Sequence, residues 1–330
     1  MAKTAATEQE KDILAEKLKA LEKKFGVGTI IMGKDTREEL EVVDSGSLTL
    51  NLATNIGGLP VGKLIELLGM ESSGKSTLTL HAISNFQKLE GKCVLVDYEQ
   101  SFDRAYATAL GVDMDKLIII QPECMEDGYN MTEELIKTGN IRLVIHDSHT
   151  AAMPRKVVDG EVGDVTIGLQ ARLNSQGLGK IKPLLRDNRC TMMGISQIRQ
   201  NVGGYGDPNQ STGGLAWKFY SDMRMKVNKS VDKENEGNKT TVEIIKNKCS
   251  APFGKAEFVI DWGKGISRMM EIISLAQDLK FITRSGAWYT LPNVEKSVQG
   301  EQGVLQFLSD NPEYATEIER QVLEKLKELK

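Results

Sequence analysis

From about residue 64 onward, short unbroken runs of apolar residues recur, and amphipathic stretches of helical length separate them. Residues 64–68, 93–96, 117–120, 143–145 and 191–195 predict strands, and the segments starting at Lys75, Asp103, Asp127 and Gly168 predict helices. A strand that is apolar at nearly every position is covered on both faces, so the pattern predicts an α/β fold with a mostly parallel central sheet. Past Tyr220, apolar runs at 223–227, 240–248 and 256–260 follow with less helix between them. The hydrophilic stretch 229–239 joins the first two as a hairpin loop would, which predicts an antiparallel extension of the sheet.

The two ends of the chain read differently. Leu14, Leu18, Leu21 and Phe25 fall at steps of 4, 3 and 4, one apolar stripe of a helix. Gly26 stands where a C-terminal cap belongs, and 28–32 reads as a short strand. Such an arm is too short for its own core and must pack on the main body or on another subunit. From about Ser267, amphipathic helices and an aromatic turn at Trp288 and Tyr289 predict a small separate α/β unit. The domains expected are therefore 1–33, 34–266 and 267–330. No internal repeat is present.

Composition bounds the chemistry. With 40% hydrophobic and 27% charged residues the chain is an ordinary globular one. No run approaches the ~18–20 apolar residues of a membrane span, and the first residues lack the apolar core of a secretory signal. Cys93, Cys124, Cys190 and Cys249 are scattered, as unpaired thiols in a reducing cytoplasm would be. A net charge of −4 argues against a simple basic nucleic-acid binder. Charge is local, however: residues 153–210 carry eight Lys/Arg against five Asp/Glu.

The strongest local signal is Gly69-Met70-Glu71-Ser72-Ser73-Gly74-Lys75-Ser76, a G-x4-G-K-[ST] phosphate loop between a predicted strand and a predicted helix. Gly69 and Gly74 let the backbone curl so that its N–H groups face phosphate oxygens, and the helix N-terminus adds positive potential. Lys75 then reaches the β- and γ-phosphates of ATP, and the Ser76 hydroxyl ligates Mg²⁺. Asp147 closes the apolar strand at 143–145 and is placed to orient Mg²⁺ or its water shell. Hydrolysis also needs a carboxylate to polarise water. Glu99, just past the strand at 93–96, suits that role, and Asp97 competes for it on position alone. His146 and His149 flank Asp147 three residues apart across a strand-to-loop junction, which does not predict a shared metal.

The phosphate loop, VDYEQSFDRAYATALGVD, GEVGDVTIGLQARLNSQ, SQIRQNVGGYGDP, STGGLAWKFY, IIKNKCSAPF and SGAWYTL together, and in this order, resemble the bacterial RecA recombinase family over essentially the whole chain. The resemblance implies a RecA-type ATPase core, an N-terminal helix and strand that dock on the neighbouring subunit, and a small C-terminal α/β domain. It also implies a homo-oligomeric helical filament that assembles on single-stranded DNA with ATP and Mg²⁺, pairs with homologous duplex DNA and exchanges strands. By the same resemblance Glu99 is the carboxylate of hydrolysis, Gln197 senses the γ-phosphate, and Asp103 and Tyr106 hold the adenine. Lys246 and Lys248 reach the neighbour's ATP, and Phe219 lies at that interface. Loops at about 159–168 and 197–213 correspond to the DNA-binding loops: Ile167 and Val202 wedge between bases, while Arg172, Ser175, Arg199, Gly213 and Gly214 contact the backbone. Both loops are rich in glycine, so their N–H groups can approach phosphates closely.

Departures from the family pattern bear on DNA rather than on ATP. Met70 stands for the usual proline, Gln100 for histidine and Ser196 for asparagine, without loss of a required chemical group. Gly179 replaces an arginine, Asn201 a lysine, and Thr241 and Glu243 occupy usually basic positions of the secondary DNA site. The second loop is one residue shorter, and the sequence ends at Lys330 without the family's acidic tail. These changes lead us to expect altered DNA affinity and exchange. Two other functions compete: a filament that mainly promotes self-cleavage of a repressor, and a helicase-like motor. The matches to both DNA loops and to the C-terminal unit favour recombination over the motor.

Overall fold

The computed structural model describes residues 2–26, 30, 40–162, 164, 166–198, 213–231 and 238–328. It divides into two units, Met1–Leu40 and Glu41–Lys330. In the first, α1 spans Ala2–Phe25, with Lys23 and Lys24 in the last turn where cations oppose the negative helix end. Gly26, at φ +108°, caps it, and its N–H donates to the Glu22 carbonyl at 2.9 Å. Leu14 of the expected stripe is exposed, while Leu18 and Leu21 are half-buried. Apart from Ile30, the strand expected at 28–32 lies outside the described residues.

The second unit opens with a short antiparallel ladder, β1 (Val42–Val43) with β2 (Leu59–Pro60), around α2 (Leu48–Ala53). Neither strand was evident from the apolar pattern, because two residues are too few to show a period. The main sheet then takes β3 (Leu64–Gly69), β4 (Lys92–Asp97), β5 (Leu117–Ile120), β6 (Ile141–Asp147), β7 (Thr191–Gln197), β8 (Met223–Val231), β9 (Asn238–Asn247), β10 (Lys255–Asp261) and β11 (Gly265–Ile266). Their order is β11-β10-β9-β8-β3-β7-β6-β4-β5. Every neighbouring pair from β8 to β5 is parallel, and β9, β10 and β11 pair antiparallel. The antiparallel extension thus begins one strand later than expected. β8 forms the hairpin with β9, yet it also lies parallel beside β3, because a crossover through helix returns the chain to the same edge.

The helices of this unit are α3 (Lys75–Phe86), α4 (Arg104–Ala109), α5 (Met125–Lys137), α6 (Arg155–Val158), α7 (Leu169–Asp187), α8 (Ala216–Tyr220), α9 (Arg268–Asp278), α10 (Gly300–Asp310) and α11 (Pro312–Glu328). The continuous apolar strands follow from burial on both faces. Ile65, Leu67, Cys93, Leu95, Leu143 and Ile145 pack in one core with α3 and α4. Leu64, Val94, Val96 and Val144 point the other way, into a second core with α5, α7 and Trp217 of α8. The expected aromatic turn is a small sheet of β12 (Thr283–Ser285), β13 (Trp288–Thr290) and β14 (Val298–Gln299), which shares a third core with α9–α11. Buried Glu271 of α9 joins this piece to the rest: its carboxylate accepts from Ser47 Oγ at 2.6 Å and from the Leu48 and Thr49 N–H groups at 3.0 Å. An anion there answers the unpaired N–H groups that start α2.

Candidate functional site

Parallel strands end together, and their carboxyl edge gathers the predicted chemistry. Gly69, Asp97, Asp147 and Gln197 are the last residues of β3, β4, β6 and β7, four adjacent strands. Beyond Gly69 the phosphate loop turns into α3 through Ser72 at φ +55° and Gly74 at φ +100°. Only glycine fits at its two ends: a Cβ on Gly69 would stand 2.5 Å from the Val227 carbonyl oxygen, and one on Gly74 2.6 Å from Ile260 Cδ1. Met70, Glu71, Ser72 and Ser76 are exposed, whereas Ser73 and Lys75 are buried. The Lys75 ammonium donates to the carbonyls of Gly69 at 3.1 Å and Met70 at 2.6 Å. Burial lowers its pKa, and the nearby charges of Asp147, Glu99 and Glu71 work against that.

The two competing carboxylates occupy different surroundings. Asp97 is buried and turned into the loop after β4, where it accepts from the N–H groups of Ser101 and Phe102 and from Gln121 Nε2 at 3.3–3.4 Å. Glu99 is exposed, and its Oε1 accepts from Gln197 Nε2 at 2.8 Å and from Ser148 Oγ at 2.5 Å. The Glu99 carboxylate and the Gln197 amide therefore touch, and Ser148 joins them. Ser148 escaped sequence reasoning because a serine after a strand-end aspartate carries no pattern. Asp147 is held up at about 7, first by burial and then by the charges of Glu99 and Asp97.

Beside the loop lies a cavity of about 640 Å³ lined by Ser72–Thr77, Asp103, Tyr106 and the turn after β10, including Asp261, Trp262 and Gly263. Asp103 caps α4 through the Tyr106 N–H at 3.0 Å, and the Tyr106 hydroxyl pairs with Thr77 Oγ1 at 2.9 Å. Trp262 and Gly263 come from 190 residues beyond the loop, and nothing local in their sequence marks them. Thr240 Oγ1, also in this wall, is buried without a partner. Among the described residues no group of three or more His, Cys, Asp or Glu could hold a metal. Ser76 and Asp147 instead suit Mg²⁺, which takes one or two protein ligands together with substrate phosphates. The cation would offset both the burial and the carboxylate repulsion that raise Asp147.

Behind this edge runs a buried polar chain. Arg224 Nε donates to Glu66 at 2.5 Å, and Ser196 Oγ donates to the same carboxylate at 2.7 Å. That leaves the serine oxygen to accept from His149 Nε2 at 2.5 Å. His149 stacks on Trp217 at 4.3 Å, and Trp217 Nε1 donates to Asn174, whose amide donates to the Gly213 carbonyl at 2.7 Å. His146 pairs with Thr132. Burial depresses both imidazoles to about 3.

The DNA-facing candidates converge on α7. Gly168, at φ +73°, is its N-cap; Ile167 before it is 93% exposed; Arg172 and Ser175 lie three residues apart on its exposed side. Gly213 and Gly214 arrive at positive φ against the same helix, where a Cβ on Gly214 would stand 2.4 Å from that of Ala171. Arg199 and Val202 lie outside the described residues. Lys246 and Lys248 sit at the far end of the sheet from the phosphate loop of their own chain. β9 begins by the cavity at Thr240 and runs about 20 Å, at ~3.3 Å per residue, before it reaches Lys246. Lys246 donates to the carbonyls of Lys218 and Phe219, and Phe219 itself is an exposed aromatic.

The RecA N-terminal domain family matches residues 12–267, and the RecA C-terminal domain family matches 270–327. The chain belongs to the RecA family. It is 42% identical over 328 residues to the protein named "Protein RecA" of Streptomyces venezuelae, covering 98% of this chain and 86% of that one. The same name and identity hold for the relative of Thermotoga petrophila, with 96% and 92% covered. In this RecA-family chain Ser196 has two buried partners, Glu66 and His149.

Proposed function

We propose that the chain is an ATP-dependent DNA recombinase, which forms filaments on single-stranded DNA and catalyses homologous pairing and strand exchange in the cytoplasm. Membership along the whole chain favours this over a filament devoted to repressor self-cleavage. The observation that carries the reading is the contact of Glu99 with Gln197 at the mouth of the phosphate loop, which joins hydrolysis to the root of a DNA-facing loop. No helix among the described residues is long and apolar enough to cross a membrane.

ATP with Mg²⁺ supplies the phosphoanhydride whose hydrolysis drives the cycle. Lys75 and the inward N–H groups of residues 69–76 bind phosphate oxygens, and Ser76 and Asp147 hold the cation. Tyr106, Asp103 and Trp262 frame the base. Glu99 accepts a proton from the attacking water, and the Gln197 amide orients that carboxylate. Lys246 and Lys248 complete the site of the next subunit. Domains 1–33, 34–266 and 267–330 then serve docking, catalysis and a peripheral role. ATP hydrolysis measured with and without single-stranded DNA, together with joint-molecule formation from homologous single- and double-stranded DNA, tests the reading. Hydrolysis indifferent to DNA and an absence of joint molecules would reject it.

A further inference from the structure

At the edge of the sheet opposite the phosphate loop, Asp222 leads into β8 with its side chain 9% exposed. Backbone bonds fix it. Its N–H donates to the Leu64 carbonyl at 2.8 Å, its carbonyl accepts from Lys248 N–H at 2.8 Å, and its Oδ2 accepts from Leu64 N–H at 3.0 Å. Two ammonium groups share this one carboxylate. Lys182 of α7 forms a close ion pair with Oδ2, and Lys248, just past β9, stands 3.8 Å from Oδ1. The two cations differ in setting: the Lys182 side chain is 26% exposed and that of Lys248 50%.

A carboxylate this covered needs a cation, and Lys182 supplies it. The Lys248 contact is longer than the ~2.7–2.9 Å of a charge-assisted hydrogen bond, so its ammonium is near Asp222 without being spent on it. We propose that Lys182 is a positioning residue for Lys248: by neutralising Asp222 it leaves the Lys248 ammonium available to a phosphate oxygen of the nucleotide held by a second copy of this chain. The inference rests on the reading that Lys248 acts across a subunit interface. Burial lowers the Lys182 pKa and Asp222 opposes that shift, so the pair is mutually dependent. Without Lys182, the cation within ion-pair reach of Asp222 among the described residues is Lys248. It would close on the carboxylate and withdraw from the interface. Lys246 is held by backbone carbonyls instead, so it does not share this dependence.

The test is an epistasis experiment on the full chain, with ATP hydrolysis measured on single-stranded DNA across a range of ATP concentrations. Lys182→Met should raise KM for ATP roughly tenfold, equivalent to about 1.4 kcal/mol, and Lys182→Arg should stay near wild type. The double variant Lys182→Met with Asp222→Asn should recover most of the loss, because a neutral amide no longer captures Lys248. A merely structural role predicts a double variant no better than the worse single one, and that result overturns the proposal, as does a wild-type KM in Lys182→Met. Lys248→Ala, measured in parallel, separates the two layers. Wild-type kinetics there would remove the interface reading and the proposal with it. Impairment there, with Lys182→Met unaffected, would remove the positioning role alone.

Discussion

The two edges of the central sheet do opposite kinds of work. At the carboxyl edge, four adjacent parallel strands deliver Gly69, Asp97, Asp147 and Gln197 to one place, because parallel strands share a direction. That site has its loop, carboxylates and amide within a single chain. At the other edge, Lys182, Asp222 and Lys248 come from a helix, a strand start and a strand end. β9 makes the difference. Running antiparallel, it begins beside the cavity at the phosphate loop and carries Lys246 to the opposite edge. Under the proposed function, one edge holds a nucleotide and the other offers Lys248 to a neighbour's.

The largest effect should come from the carboxyl edge. Glu99→Gln should lower ATP hydrolysis by ~10²–10⁴-fold while ATP binding and filaments persist, seen as lost phosphate release with filaments intact by electron microscopy. Normal turnover would pass the role to another group, although Asp97 is committed to the N–H groups of Ser101 and Phe102. The contrast between edges is sharpened by mixing Lys75→Ala with Lys248→Ala. Each alone should lose DNA-stimulated hydrolysis. At equal amounts about a quarter of head-to-tail interfaces pair an intact loop with an intact Lys248, so part of the activity should return. No rescue at any ratio would break the shared-site half of the comparison.

A smaller effect concerns proton binding around Asp147. Two imidazoles held at about 3 stay neutral in the fold, so the unfolded chain binds two more protons below ~6.5, and stability falls as pH drops from there. Asp147, held at about 7, binds one more proton folded than unfolded between ~3.8 and 7, and its contribution runs the other way. In the shared window the balance is one proton, about 1.4 kcal/mol lost per pH unit of acidification. Denaturant titrations should show that slope steepened by Asp147→Asn and flattened by His149→Val.

The smallest effect tests the secondary DNA site. Glu243 lies across the sheet from Lys226 on one side and Lys255 on the other, so its charge is flanked by lysines on the same face. Glu243→Lys should strengthen duplex capture by a preformed filament and steepen its salt dependence by about one unit of slope per phosphate gained. Assembly on single strands should barely change. Three adjacent lysines should also cost about 0.2–1 kcal/mol of stability. Equal changes in assembly and capture would mean that Glu243 lines no separate site.

Much of this was legible in the sequence where the physics is local. The phosphate loop is one continuous stretch whose glycines, lysine and serine act within eight residues, and unbroken apolar runs mark strands buried twice over. Asp97 and Glu99 could not be separated that way. Both stand at the end of the same strand; resemblance favoured Glu99, and in the structure loop N–H groups claim Asp97 while Glu99 meets Gln197. Resemblance supplied Gln197 but not its contact with Glu99, and the parallel placement of β8 depended on a crossover that periodicity does not encode.

By itself, then, the sequence determined the α/β class and the phosphate loop with its lysine and serine, since each follows from residues a few positions apart. Tertiary structure alone decided that Trp262 and Thr240 wall the cavity beside the phosphate loop, that Ser196 binds between Glu66 and His149, and that Lys182 and Lys248 both approach Asp222. These partners lie 26 to 190 residues apart. Strand order brings them together, and strand order is set by how both faces of the sheet are covered rather than by any short stretch of chain.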